Sequence, residues 1–351
     1  MSDFALPDEL ASLTSVARAV ADKELAPSAR AAEREGSWSP HVIEVLRGLS
    51  LHAVDVPARL GGDGAGCVAK VVLLEALAAG DAGGLPAADQ PGRSVGAFVA
   101  CPDGNVAVEV IGPCLGGSAQ AALLVVDPND APSRRVEWAP AWPPLQWAWI
   151  TSGDVLSLVS VTALVRPISA LAFQASGGVS VDLSSCSPVG TWTLPPGSGV
   201  DVRGRARLWA AAVAIGVAQA AFDATIAYTT ERVVFGKPVA YHQGNAFDLA
   251  AAATGLHGAR LAVRDAAGAY DRGGPFPGFH ATQAWLSAID AGITMTDLGI
   301  QLLGGHGFLV DHLAEKRFRE VRMLAQLAGG RDAAEADVAA LVLDVPDPVF
   351  P

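Results

Sequence analysis

Two stretches carry residue types that packing alone does not call for. QLLGGHGF, Gln301 to Phe308, sets Gly304 and Gly305 side by side at the end of an apolar run. Adjacent glycines at a helix end leave the backbone bare, so that a flat ring or a phosphate can approach closely. A simple helix C-cap is the competing reading. ERVVFGKPVAYHQ, Glu231 to Gln243, interrupts two Ala-rich apolar runs. Pro238 lacks an N–H and cannot continue a helix, and with Gly236 it marks a stop between two helices. That accounts for the break and leaves Arg232, Phe235 and Gln243 unexplained.

The other reactive residue types form no recognisable site. His41, His52, His242, His257, His280, His306 and His312 show no metal-ligand spacing. Cys67, Cys101, Cys114 and Cys186 include no CxxC pair, and buried free thiols in a reducing cytosol are expected. LGGDGAG lacks the third glycine of a dinucleotide fingerprint, and GxSxG, HExxH and GxxxxGK[ST] do not occur. No metal is expected.

The 351 residues, 51% apolar and 17% charged, are enough for two or three domains with a large core. A net charge of -12 argues against nucleic acid or an anionic membrane as the main partner. A phosphate site would have to be local. MSDFALPDEL lacks a basic n-region ahead of an apolar core, so no signal peptide is expected. The most apolar segment, Leu208 to Phe222, falls short of the about 20 residues of a membrane span. A soluble, cytoplasmic protein is expected.

The elements that would position these stretches read as helices, strands, then helices. Apolar residues recur at helical spacing from Asp8 until Pro27, and Ser39 with Pro40 opens a second helix. CVAKVVLLEALAAG is a third, and the Gly- and Pro-rich 81–93 segment reads as a surface connection. From Val95 to Val202, GAFVACPDGNVAVEVIG, QAALLVVDPNDAP, DVLSLVSVTALV and GGVSVDL read as short strands. Four helices follow: from Arg205 to the Arg232 break, up to Gly273-Gly274, up to Gly304-Gly305, and one capped by Asp311. The expected class is α+β, mostly α: an N-terminal helical domain (1–94), a shortened barrel- or sandwich-like β domain (95–202) and a C-terminal four-helix bundle (203–345).

ERVVFGKPVAYHQ, then QLLGGHGF followed by DHLAEKRFREVR, resembles the C-terminal bundle of the acyl-CoA dehydrogenases. KELAPSA and VDVPARLGGDGAG resemble that family's opening helical domain, and the element order is also the family's. The resemblance implies a flavoprotein that oxidises an acyl-CoA thioester to the 2,3-enoyl-CoA, with FAD at a subunit interface. It implies that Arg232 meets the pyrophosphate, that Phe235 and Gln243 lie beside the cofactor, and that Gln301, Gly304 and Gly305 run along a neighbouring subunit's dinucleotide. The partners implied are acyl-CoA, a second acyl-CoA dehydrogenase-like subunit (homo- or hetero-oligomer) and an electron-accepting flavoprotein.

The departures are specific. The family's catalytic Glu falls in register on Ala328, and its alternative positions read Ala206 and Val213; neither residue type can take a proton. The family's Thr-Glu-Pro-x-x-Gly-Ser-Asp-like stretch has no counterpart, and VGAFVACPDG stands roughly in its place. Three expectations follow: a base-lacking subunit of a hetero-oligomer, a self-sufficient enzyme using Glu335 or Asp332, or a flavin-free scaffold of the same fold.

Overall fold

The computed structural model describes residues 6–126, 135–162, 164–183 and 186–344; Met1–Ala5 and the turn expected at Asp127–Pro132 lie outside them. Helix α1 (Asp8–Val20) does not stop at Pro27. A π-helical turn, Ala21–Leu25, leads directly into α2 (Ala26–Glu35). The widened turn accommodates the hydrogen bond that Pro27 cannot donate. Gly36, left-handed at φ 73°, closes α2. Ser39 caps α3 (Pro40–Gly48) as expected, its hydroxyl accepting from the Val42 N–H at 3.3 Å. Helix α4 (Gly66–Gly80) is buried almost all round.

The 81–93 segment, expected at the surface, is instead among the most buried parts of the chain and carries the short helix α5 (Leu85–Ala88). Its polar residues face charged partners rather than water. Asp81 accepts from Trp38 Nε1 at 2.8 Å and from Lys316 Nζ at 2.5 Å. Asp89 accepts from Trp209 Nε1 at 2.8 Å and pairs with Lys70 at 2.6 Å. Gly84 is there because any Cβ would overlap the Trp38 ring.

The stretch 95–115 is also not strand. It forms α6 (Val95–Ala100) and α7 (Gly104–Leu115), the latter capped by Asp103, whose carboxylate accepts from the Asn105 and Val106 N–H groups. The Val-x-Val alternation of NVAVEV mimics a strand, but the buried residues are Ala107, Val110, Ile111 and Cys114, at helical spacing. The β region therefore begins at β1 (Gln120–Val125), followed by β2 (Arg135–Ala139), β3 (Leu145–Ser152), β4 (Val155–Ser160), β5 (Val165–Pro167), β6 (Val179–Asp182) and β7 (Pro188–Thr193). One sheet has the order β1-β3-β4-β7, with β1 parallel to β3 and the rest antiparallel; the other is β2-β6-β5. Period-two alternation splits the first sheet's burial. Ala122, Leu124 and Ala148 pack toward β2 and β6, whereas Ala121, Leu123 and Trp149 pack toward α6 and α7. The sandwich-like expectation holds.

Helix α8 (Ser198–Glu231) starts ahead of Arg205 and is the spine of the molecule. It is long and apolar enough to cross a membrane, but 67% of that stretch is buried inside the protein. Two short strands, β8 (Val233–Val234) and β9 (Lys237–Pro238), precede α9 (Gln243–Asp271), α10 (Pro277–Leu303), α11 (Ala314–Leu324) and α12 (Gly330–Asp344). Asp311 is not the cap of α11: Leu313 occupies that position and supplies no side-chain bond. Gly204 packs on Gly278 and Gly299 on Thr225, so α8 and α10 run parallel with α9 antiparallel beside them. Both C-terminal ends, and the start of α9, thus meet at one end of the bundle. Cys67, Cys101, Cys114 and Cys186 are free, and burial pushes the Cys67 and Cys114 thiols up to about 12.

Candidate functional site

The break after α8 is a two-residue hairpin. Val233 pairs with Pro238 and Val234 with Lys237, leaving Phe235 (φ 48°) and Gly236 (φ 81°) as the loop. Positive φ at both central residues is the type I′ signature, whose twist matches the strands. The hairpin is pinned at its base: the Val239 N–H donates to the Arg232 carbonyl at 2.8 Å, and the His242 ring to the Val234 carbonyl at 3.0 Å. Phe235, at the tip, is 95% exposed, although apolar and held in a conformation that costs a non-glycine residue energy. Among the described residues nothing repays that exposure.

Arg232 caps the C-terminus of α8 and Gln243 opens α9; both are exposed. Gln301, in the last turn of α10, is exposed as well. Among the described residues none of these three side chains has a hydrogen-bond or ion-pair partner. Tyr228, one turn before Arg232, comes within 3.4 Å of His306, the residue after Gly305. The structure thus brings all six residues implied by the resemblance, Arg232, Phe235, Gln243, Gln301, Gly304 and Gly305, to one end of the bundle.

The glycines separate two roles. A Cβ at Gly307 would lie 2.6 Å from the Ile300 carbonyl oxygen, so packing within the chain demands that glycine. A Cβ on Gly304 or Gly305 would meet nothing within 4 Å, although Gly304 has φ 60°. The bare backbone at Gly305 serves no packing contact among the described residues, which fits close approach by an external ligand. Gly305→Ala is expected to change unfolding free energy by less than about 0.5 kcal/mol, against about 1–3 kcal/mol for Gly307→Ala, by urea denaturation.

The positions to which the resemblance assigns the base are in a different environment. Ala328 has φ 54° and ψ 37°, lies in a short turn, Leu327–Gly329, that packs on α8 and β1, and is 8% exposed. Ala206, 1% exposed on α8, belongs to the same apolar cluster, with Phe98, Leu123, Trp149 and Val202. Val213 lies in the main helical core instead. The cavity between β1, Trp209 and the 86–93 segment measures about 10 Å³, no more than one water occupies. That cavity is too small for an acyl chain. Glu335 is half exposed and held by Arg331 at 2.7 Å, and Asp332 is exposed.

Charge does enter the interior, at residues the sequence reading passed over. Arg203 and Arg207 of α8 both pair with Asp337 of α12 at 2.5 Å, and Arg203 also donates to the Gly153 carbonyl at 3.0 Å. Burial alone would raise the Asp337 carboxyl, but hydrogen bonds and charge from Arg203 and then Arg207 hold it below its ordinary range. A carboxylate so held is a poor base. The signal was present as three arginines at alternate positions, Arg203, Arg205 and Arg207, leading into a long apolar helix.

Comparison with known proteins decides the family. Residues 7–92 match the acyl-CoA dehydrogenase N-terminal domain, and residues 204–343 match the acyl-CoA dehydrogenase C-terminal domain. The chain belongs to the acyl-CoA dehydrogenase family. It is 28% identical to the probable acyl-CoA dehydrogenase FadE25 of Mycobacterium tuberculosis, over 91% of this chain and 92% of that protein. Its fold superimposes on a glutaryl-CoA dehydrogenase–glutaryl-CoA complex with a TM-score of 0.82 at 19% identity, covering 99% and 98% of the two chains. A Mycobacterium smegmatis glutaryl-CoA dehydrogenase in complex with FADH2 gives a TM-score of 0.79 at 17% identity, covering 99% and 97%. The acyl-CoA dehydrogenases are FAD-dependent oxidoreductases. The exposed, unpartnered set around Arg232 and Gly305 fits a dinucleotide; Ala328 and Ala206, buried in an apolar cluster, offer no group that takes a proton.

Proposed function

We propose that this chain is the base-lacking subunit of a hetero-oligomeric acyl-CoA dehydrogenase. It contributes contacts to FAD held chiefly by an unlike, acyl-CoA dehydrogenase-like partner. One observation carries the reading: polar and aromatic residues suited to a dinucleotide stand free at one end of the bundle, while Ala328 and Ala206 lie in a closed apolar core. When bound, FAD supplies the hydride acceptor for α,β-dehydrogenation of an acyl-CoA. This chain's part is to orient. Arg232 offers a planar fork to phosphate oxygens, Gln243 and Gln301 offer amides, and Gly304-Gly305 lets the dinucleotide lie against the backbone. Phe235 covers apolar surface of the cofactor or the partner. The α-proton goes to a carboxylate of the partner subunit, and electrons leave through an electron-accepting flavoprotein.

Co-expression with the product of the neighbouring gene, followed by counting flavins per assembly, tests the reading. One FAD per unlike pair, with a colourless single chain that turns over no acyl-CoA, is expected. Robust dehydrogenation by the purified single chain would sink the proposal. A flavin-free but stable assembly would favour the scaffold instead. The self-sufficient alternative predicts that Glu335→Ala or Asp332→Ala abolishes turnover. We expect both variants to leave the assembly's kcat within about twofold, because Glu335 is engaged by Arg331 on the outer face and Asp332 is solvated.

A further inference from the structure

The cavity of about 10 Å³ between β1, Trp209 and the buried 86–93 segment has polar walls. Asp89, Gln90 and Arg93 of that segment line it, together with Gln120 and Trp209. Asp89 is 2% exposed and Gln90 3%. Each leaves one acceptor, Asp89 Oδ1 and Gln90 Oε1, without a hydrogen bond among the described residues.

Both side chains are held in place by their other polar atom. Asp89 Oδ2 accepts from Lys70 Nζ at 2.6 Å and from Trp209 Nε1 at 2.8 Å. The Gln90 amide nitrogen donates to the Ala87 carbonyl at 2.9 Å. Turning that amide over would set two oxygens against each other, so Oε1 is the atom left over. A buried acceptor without a donor is destabilising, so an occupant of this cavity has to donate. Charge restricts it further. Asp55 and Asp89 are already balanced by Lys70 and Arg205, and Arg93, 5.8 Å from the Trp138 ring centroid, adds positive charge. A cation would meet that excess in a poorly screened interior. An anion would meet two acceptor oxygens, and the volume is too small for an oxyanion.

We propose that this cavity is a binding site for one water molecule, which donates to Asp89 Oδ1 and Gln90 Oε1 and accepts from an N–H of Arg93 or Gln120. The volume matches a single water. The bridge completes a hydrogen-bond chain from the Leu51 carbonyl through Lys70 and Asp89 to Gln90 and the Ala87 carbonyl. It also accounts for a segment of loop composition lying in the core: distant cations meet some of its acceptors and a buried water meets the rest. The site contains none of the residues proposed to contact FAD.

A high-resolution crystal structure of the unaltered full chain should show one ordered peak about 2.5–3.0 Å from both Asp89 Oδ1 and Gln90 Oε1. Soaks in sodium bromide and in rubidium chloride test for an ion instead, and neither should give an anomalous peak there. Gln90→Met keeps the length of the side chain and removes its acceptor. Its crystal should lose the peak, and oxygen-17 relaxation dispersion in solution should find one fewer long-lived internal water than in the parent. Four results overturn the proposal: no peak in the parent, an anomalous scatterer in its place, Asp89 Oδ1 lying directly against Gln90 Oε1, or a peak and water number unchanged by Gln90→Met. The parent crystal gives its answer whether or not the variant folds. None of these readouts involves flavin or turnover, so this site and the subunit role fail separately.

Discussion

Replacing Lys316 with methionine is expected to destabilise the fold by about 3–5 kcal/mol. The Lys316 ammonium lies between Asp81 and Glu320, with almost no exposure on any of the three side chains. Removing it leaves two carboxylates facing each other in a dry interior, and it unties α11 from the buried 81–93 segment. Urea denaturation of Lys316→Met against the parent measures the loss; a change under about 1 kcal/mol would mean that water reaches the cluster. The same cluster sets a pH dependence. Burial, with Asp81 beside it, pushes Glu320 up to about 7 against the pull of Lys316. The native state therefore holds this proton more tightly than the unfolded chain. The stability it contributes is complete below the ordinary carboxyl range and is lost as pH rises toward 7, with a slope of at most about 1.4 kcal/mol per pH unit. Glu320→Gln should flatten that slope, read as the difference between the two stability–pH curves. An unchanged slope would place the titration elsewhere.

The second large effect is expected in the assembly. Arg232→Ala should weaken FAD retention by about ten- to hundredfold, corresponding to the ~1.5–3 kcal/mol of a hydrogen bond to a charged group. Arg232 also stands at the C-terminus of α8, where a cation interacts favourably with the helix dipole by about 0.3–1 kcal/mol. The two roles separate in Arg232→Lys. Lysine keeps the charge at the helix end but loses the planar fork. Thermal stability should therefore be restored in Arg232→Lys while flavin retention is not. Full recovery of flavin by lysine would reduce the site to a point charge, and unchanged retention in Arg232→Ala would remove Arg232 from the cofactor site.

What the sequence made legible and what it hid follow from range. The bundle was readable because each helix carries its own period and its own stop, as at Gly304 and at Phe235-Gly236. The exposed set was readable because Arg232, Phe235 and Gln243 are residue types a plain turn does not require. The 81–93 segment misled because Asp81, Gly84 and Asp89 have the composition of a loop. Their partners Trp38, Lys70, Trp209 and Lys316 are supplied by distant parts of the chain. The Val-rich 95–115 stretch carries two periods at once, and only the facing sheet selects the helical one. Pro27 looked like a stop because the sequence gives no sign of the π-helical turn before it. Asp337 meets Arg203 and Arg207 across more than a hundred residues, a pairing that no local spacing announces.

The left-handed turn at Ala328 has an evolutionary consequence. A glutamate placed there would need the same strained φ of 54° and would put a carboxylate at a position that now belongs to an apolar cluster with Phe98, Trp149 and Val202. Ala206 offers no easier route, because it faces the same apolar cluster. A carboxylate at either position would therefore need changes in the side chains around it as well. In the assembly proposed above the turn would act as a ratchet, keeping the chain committed to a partner that can move the proton.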